Sequence, residues 1–209
     1  EQSLYGAIIN MAQNFVGSNN INLLEPNGQF GTRLQGGDDA ASERYICTQL
    51  SKLTRLIFPE ADDPILTYLE DDGTPVEPMF YVPIIPMQLV NGGKGIGTGF
   101  STDILNYNPL SIMDYVRDKL NTDKESLLPS NLIPYYNGFK GSIIPLSESK
   151  HLIKGVYSIL SDKQVRITEL PIGTWTDDYK KYIEELIEAK TTVSTNEAKK
   201  KKKPKKEKA

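Results

Sequence analysis

Leu4, Ile8, Met11, Ala12 and Phe15 recur at spacings of three and four, which predicts a helix from Glu1 to Val16 with one apolar face. Gln2, Asn10 and Gln13 fall off that face, and Gly17-Ser18-Asn19-Asn20 stops the helix. Two short apolar runs follow, Ile21–Leu24 and Gln29–Gly31, around Pro26-Asn27-Gly28. An Asn-Gly pair between two such runs predicts a hairpin. A helix followed by a two-stranded wing predicts the back half of a winged-helix module. Residues 34–43 are polar. Ile46, Leu50, Leu53 and Ile57 then share a face over about three turns, which predicts a second helix closed by Pro59.

Asp62-Asp63-Pro64 marks the start of a second unit. Residues 78–90 are apolar and punctuated by prolines, and a glycine-rich loop, Asn91 to Gly99, follows. Asn108-Pro109 has the form of an N-cap with proline at the first helical position, opening a helix to about Leu120. From Gly141 the period falls to two. Residues 141–146, 155–160 and 164–170 predict a small antiparallel meander with Ser161-Asp162-Lys163 as a turn. Thr176-Asp177-Asp178 opens a last helix, from Tyr179 to about Ala189, with carboxylates at its positive end. Residues 191–209 lack apolar periodicity and are expected to be disordered. The expected division is 1–60, 61–190 and the tail 191–209, in an α+β class.

Composition narrows the chemistry. Of 209 residues, 38% are apolar and 24% charged, which suits a globular protein. One cysteine, Cys47, excludes an intrachain disulfide, and one histidine, His151, leaves too few ligands for a thiolate or two-histidine metal centre. The apolar runs are too short and too rich in proline to span a membrane. No signal peptide is recognisable at Glu1-Gln2-Ser3, and the chain is expected to be a fragment. The net charge of −3 is divided unevenly. Residues 199–209 hold eight lysines against one glutamate, a net +7, so the rest carries −10. Such a tail suits a nuclear address, a non-specific nucleic-acid contact or a solubilising extension. The acidic body would need locally placed groups to meet a polyanion.

Two constellations stand out. The run GGKGIGTGF, Gly92 to Phe100, meets neither the dinucleotide nor the P-loop spacing, since Lys94 is followed by Gly95. Its glycines suit a tight loop, but Ile96 among them must either pack inward or act as a wedge on a partner. The other is Arg44-Tyr45. Of eleven tyrosines, Tyr45 is the one directly preceded by arginine. A phenol can attack a phosphodiester and keep the bond energy in a phosphotyrosine, while a guanidinium meets two phosphoryl oxygens at once. A tyrosine that merely caps a core helix, with its arginine in solvent, is the simpler alternative.

The motifs AQNFVGSNNI, GQFGTR, RYICT and GIGTG, with VEPMFYVPIIPMQLVNGGKGIGTGFST, FKGSII and ITELPIGTWT, resemble the DNA breakage–reunion core of type IIA DNA topoisomerases over roughly residues 1–180. FVGSNN and GQFGTR follow the eukaryotic or large-DNA-virus pattern rather than that of bacterial gyrase. The resemblance implies that Tyr45 is the nucleophile, that Arg44 stabilises the transition state and that Ile96 intercalates and bends the cut DNA. Arg33, which closes GQFGTR, is expected to be a further DNA contact. It also implies a tower-like α/β domain after the winged helix, a homodimer acting on double-stranded DNA, and a nuclear enzyme or one of a viral replication site. Mg2+ and ATP would be needed, both bound by modules outside this chain: an acidic Toprim domain and an ATPase. The implied reaction is a transient double-strand break through 5′-phosphotyrosine links that lets another duplex pass, as chromosome segregation requires. A non-catalytic DNA-binding fragment of the same fold is the alternative.

Overall fold

The computed structural model describes residues 1–121, 132–147 and 150–201, with residues 190–201 described as backbone only. It is α+β, with helices and four separate two-stranded antiparallel hairpins among the described residues.

Helix α1 spans Gln2–Ala12. It ends sooner than the apolar pattern predicts because polar side chains take over its last carbonyls. Asn19 Nδ2 donates to Asn10 O at 2.6 Å and to Gln13 O at 2.8 Å. Gln13 itself is extended, and its amide nitrogen donates to Phe30 O at 3.0 Å. The hairpin expected within residues 21–31 does not form. Leu24 and Asn27 instead bridge Leu50 and Cys47 in antiparallel fashion. That pairing also removes most of the helix expected over 46–57. Ile46-Cys47-Thr48 is better suited to an extended backbone than to a helix. Only Thr54–Ile57 is helical (α2), with Ile57 buried and Leu50 and Leu53 exposed.

A 3-10 segment, Glu60–Ile65, follows, and Arg55 meets Asp63 at 2.6 Å across it. Strands β1 (Tyr68–Asp71) and β2 (Thr74–Pro78) turn at Asp72-Gly73, both at positive φ, a turn that suits the twist of paired strands. Helix α3 (Met87–Val90) leads into β3 (Gly93–Gly97) and β4 (Phe100–Ile104). The glycine-rich segment expected to be a loop is therefore a hairpin. Helix α4 spans Pro109–Asn121, and Asn108 Oδ1 caps it by accepting from Leu110 N–H at 2.9 Å.

Strands β5 (Ser142–Ser147), β6 (Lys150–Lys154), β7 (Val156–Ser161) and β8 (Gln164–Glu169) form two successive hairpins, with β6 an addition to the expected meander. Helix α5 runs Thr176–Lys201. This corrects the expectation of disorder from residue 191. Residues 190–201 contain no glycine or proline, and alanine, lysine and glutamate sustain a helix that tertiary packing need not favour. The remaining tail, 202–209, lies outside the described residues.

The main core is Ile85, Val90 and Ile112, with Ile21, Met87, Leu89, Tyr107 and Met113 packed around it. Ile21 belongs to the first sixty residues, so this core joins the two expected units. A second junction lies at Trp175, whose ring meets Phe15 edge-on at 6.0 Å.

Candidate nucleic-acid interface

Arg44 and Tyr45 sit on a single 3-10 turn, Glu43–Tyr45, flanked by extended Ser42 and Ile46. The turn closes through Tyr45 N–H donating to Ser42 O at 2.9 Å. Both side chains point outward. Tyr45 is 77% exposed, and among the described residues its hydroxyl has no hydrogen-bond partner and Arg44 no ion pair. A tyrosine capping a core helix is therefore not what the fold presents. Two unengaged groups, one nucleophilic and one cationic, stand adjacent at the surface.

The backbone that carries them is held firmly. Asn27 and Cys47 exchange both of their backbone hydrogen bonds, at 3.2 and 3.1 Å. Gly28 lies beneath Ile46 at φ +126°, and a Cβ there would meet Ile46 Cγ2 at 2.8 Å. Only glycine gives both that conformation and that approach. On the upstream side, the loop 32–41 is closed by Asp39, whose carboxylate accepts from the Thr32 hydroxyl at 2.6 Å and the Thr32 amide at 2.7 Å. The Thr32 hydroxyl and then its amide hold the Asp39 carboxyl below the usual carboxylate range. A cleft of about 370 Å³ runs between α1 and this strand, lined by Tyr5, Ile8, Ile9, Phe30, Arg44 and Ile46.

Ile96 lies on β3 opposite Ser101 and is 88% exposed. It is not a core residue. Lys94 and Asp103 share its face, 4.0 Å apart. The opposite face carries Gly95, Gly97 and Phe100, and the phenyl ring is 84% exposed. Phe100 was not singled out in the sequence, although its place at the end of the glycine run gave a signal: a large aromatic residue whose cross-strand neighbour is glycine has nothing to pack on.

Arg33 is placed differently from Arg44. Its guanidinium pairs with the buried carboxylate of Glu169 and donates to Leu170 O at 2.8 Å. It ties the 32–41 loop to the end of β8 and is not free to meet a phosphate, so the DNA contact expected of it is replaced by a structural one. Among the described residues no group of three or more His, Cys, Asp or Glu could hold a metal ion, and no helix is long and apolar enough to cross a membrane.

An exposed Arg-Tyr pair beside an exposed wedge on a glycine hairpin is the pattern against which known proteins can be compared. The family model of DNA gyrase/topoisomerase IV matches residues 1–206. The chain belongs to the DNA gyrase/topoisomerase IV family. Its curated relatives in this topoisomerase family are eukaryotic. It is 54% identical over 190 residues to a DNA topoisomerase 2 of Arabidopsis thaliana, covering 89% of this chain and 13% of that protein. It is 53% identical over 187 residues to one of Drosophila melanogaster, covering 90% of this chain and 13% of that protein. A mitochondrial DNA topoisomerase 2 of Dictyostelium discoideum is 49% identical over 198 residues, covering 95% of this chain and 15% of that protein. The fold is similar to the crystal structure of the Plasmodium falciparum topoisomerase II DNA-binding, cleavage and re-ligation domain, with a TM-score of 0.82 at 50% identity over 89% of this chain and 25% of that one. The chain thus spans about an eighth of the curated relatives it matches.

Proposed function

We infer that this chain is part of the DNA cleavage and religation core of an ATP-dependent type II DNA topoisomerase. The observation that carries the reading is the exposed, unengaged Arg44-Tyr45 pair on a rigidly anchored turn. The Tyr45 phenol oxygen attacks a backbone phosphorus, and the bond from phosphorus to the 3′ oxygen breaks. The phenolic proton is given up, the departing 3′ oxygen takes up a proton, and the 5′ phosphate stays on Tyr45. Religation is the reverse attack by the 3′ hydroxyl. Charge grows on the phosphoryl oxygens during both steps, and the planar Arg44 fork is suited to two of them. Ile96 enters a base step from the groove and bends the duplex, at a cost of about a few kcal/mol per unstacked step. Two copies, one per protomer of a homodimer, would cut both strands and let a second duplex pass.

Residues 1–60 are read as the C-terminal part of a winged-helix domain and 61–190 as a tower-like domain. The family implies Mg2+ and ATP. The described residues fit neither: there is no acidic cluster and no phosphate-binding glycine spacing. Both would be bound by other modules of the complete polypeptide, and no step above is assigned to them. Eukaryotic relatives support a nuclear site of action, with the Dictyostelium protein an organellar exception. The absence of a metal cluster among the described residues favours a second reading for this chain taken alone, as a DNA-holding fragment that cuts only when joined to a metal-bearing partner. The test is denaturant-resistant protein–DNA adduct formed by the complete polypeptide with Mg2+. Tyr45→Phe is expected to abolish it while leaving DNA binding close to normal, and adduct at the wild-type level would refute the assignment.

A further inference from the structure

The element that carries Ile96 and the element that carries Tyr45 lie in different halves of the sequence, and a set of asparagine side chains joins them. Asn91 precedes β3 and Asn106 follows β4, so the two stand at the base of the wedge hairpin. Asn91 exchanges two hydrogen bonds with the backbone of Ile21: Ile21 N–H donates to Asn91 Oδ1 at 3.0 Å, and Asn91 Nδ2 donates to Ile21 O at 2.8 Å. Asn106, itself buried, donates to Ser18 O at 2.9 Å. Between those contacts, Asn20 Nδ2 lies 2.9 Å from Val90 O, 3.1 Å from Tyr107 O and 2.9 Å from Tyr135 O. Asn20 Oδ1 accepts from Asn137 N–H at 2.8 Å. The packing is close: a Cβ on Gly92 would meet Asn106 Oδ1 and Ile104 O at 2.5 Å each.

From this socket a continuous ladder leads to the nucleophile. Ser51 N–H donates to Leu23 O at 3.0 Å, Glu25 N–H donates to Gln49 O at 2.8 Å, and Asn27 and Cys47 exchange two bonds. Tyr45 is two residues beyond Cys47. Every link between wedge base and nucleophile is thus a short hydrogen bond or a paired strand, with no free hinge between them.

We propose that Asn20, with Asn91 and Asn106, is a positioning clamp that fixes the Ile96 hairpin relative to Tyr45, so that the place where DNA is wedged determines the phosphate that is cut. The proposal rests on the function inferred above. Wedge and nucleophile must act on one duplex at a set spacing, and a misplacement on the order of 1 Å far from the chemistry can cost about a hundredfold in rate. Side chains of this type suit the task because an amide satisfies carbonyl and N–H groups together. Asn20→Asp keeps the shape and sets a carboxylate oxygen against three carbonyls, the arrangement most damaging to the clamp.

The experiment uses the complete polypeptide that carries this chain, Mg2+ and a short duplex with one strong cleavage site. Adduct is quantified and mapped to the nucleotide, alongside DNA affinity, DNA bending by energy transfer, and Tm. Asn20→Asp and the milder Asn91→Ala are compared with Ile112→Val, which thins the adjoining core without touching the clamp. For the two clamp variants we expect DNA affinity within about twofold of wild type, a loss of adduct of roughly tenfold or more, and residual cuts spread over neighbouring phosphates. Ile112→Val should keep a single cut position even where its Tm falls as far as that of Asn91→Ala. Clamp variants that cut at the wild-type position, with adduct falling only in step with Tm and affinity, would overturn the proposal. Wild-type protein that forms no adduct at all would overturn the inferred function, and the clamp with it.

Discussion

Arg44 and Tyr45 owe their exposure to their neighbours. Ser42 and Ile46 are extended on either side, and Ile46 rests on a glycine. Gly28→Ala should therefore disturb the site from beneath. At φ +126° the added methyl is strained, at a cost of about 1–3 kcal/mol, and it pushes directly on Ile46. A fall in Tm accompanied by a loss of adduct larger than the fall in DNA affinity is the expected result. Arg44→Lys keeps the charge and loses the planar fork. Removing one donor to a developing oxyanion elsewhere costs roughly 2.7–4 kcal/mol of barrier, so single-turnover cleavage by Arg44→Ala should fall on that scale, with the lysine variant between. Equal rates for lysine and arginine would show that charge alone is required. Asp39 gives a pH signature. Thr32 donates to it in the fold, so its carboxyl sits below its unfolded value, about 3.9. The stability it lends is complete above that value and is lost as pH falls through the lower folded one. Asn at position 39 should flatten that part of an acid-unfolding curve; an unchanged curve would remove Asp39 from the account.

At the scale of elements, the β3–β4 hairpin carries the clearest prediction. Ile96 is exposed, so Ile96→Ala should move stability by no more than about 0.5 kcal/mol. It should reduce DNA bending, measured by end-to-end energy transfer, and slow cleavage with it, while Ile96→Leu keeps most of the bend. A large fall in Tm with normal bending would make Ile96 a packing residue after all. This hairpin also marks a limit of reading from the sequence. Glycines at 93, 95, 97 and 99 hide the alternation that betrays a strand, yet Ile96 was still identifiable because a β-branched residue among glycines is out of place in a bare turn. Helix α4 was legible from Asn108-Pro109 and its apolar stripe. Residues 46–57 misled because Ile46, Leu50, Leu53 and Ile57 fit a helical period, and the pattern does not reveal that the segment Leu24–Asn27 pairs with them in the fold. Asp72-Gly73 carried a turn signal that would have disclosed β1 and β2.

Across the whole molecule, the described core is small for the number of apolar groups present, and polar side chains do much of the joining. Asn20, Asn91 and Asn106 bind the two halves, and Arg33 binds β8 to the loop before Tyr45. Such long-range partners leave no periodicity in a sequence, which is why Arg33 looked like a DNA contact and the asparagines like loop residues. The acidic body, −10 without its lysine-rich end, cannot hold DNA by net charge. What it offers is two exposed groups of the right chemistry on a rigid frame. The most direct test is to trap the cleaved complex of the complete polypeptide with DNA, digest both components, and find by mass spectrometry the peptide that retains a nucleotide. The account predicts a single modified tyrosine, Tyr45, joined through a 5′ phosphate. A nucleotide on any other residue, or attachment through a 3′ phosphate, would contradict it.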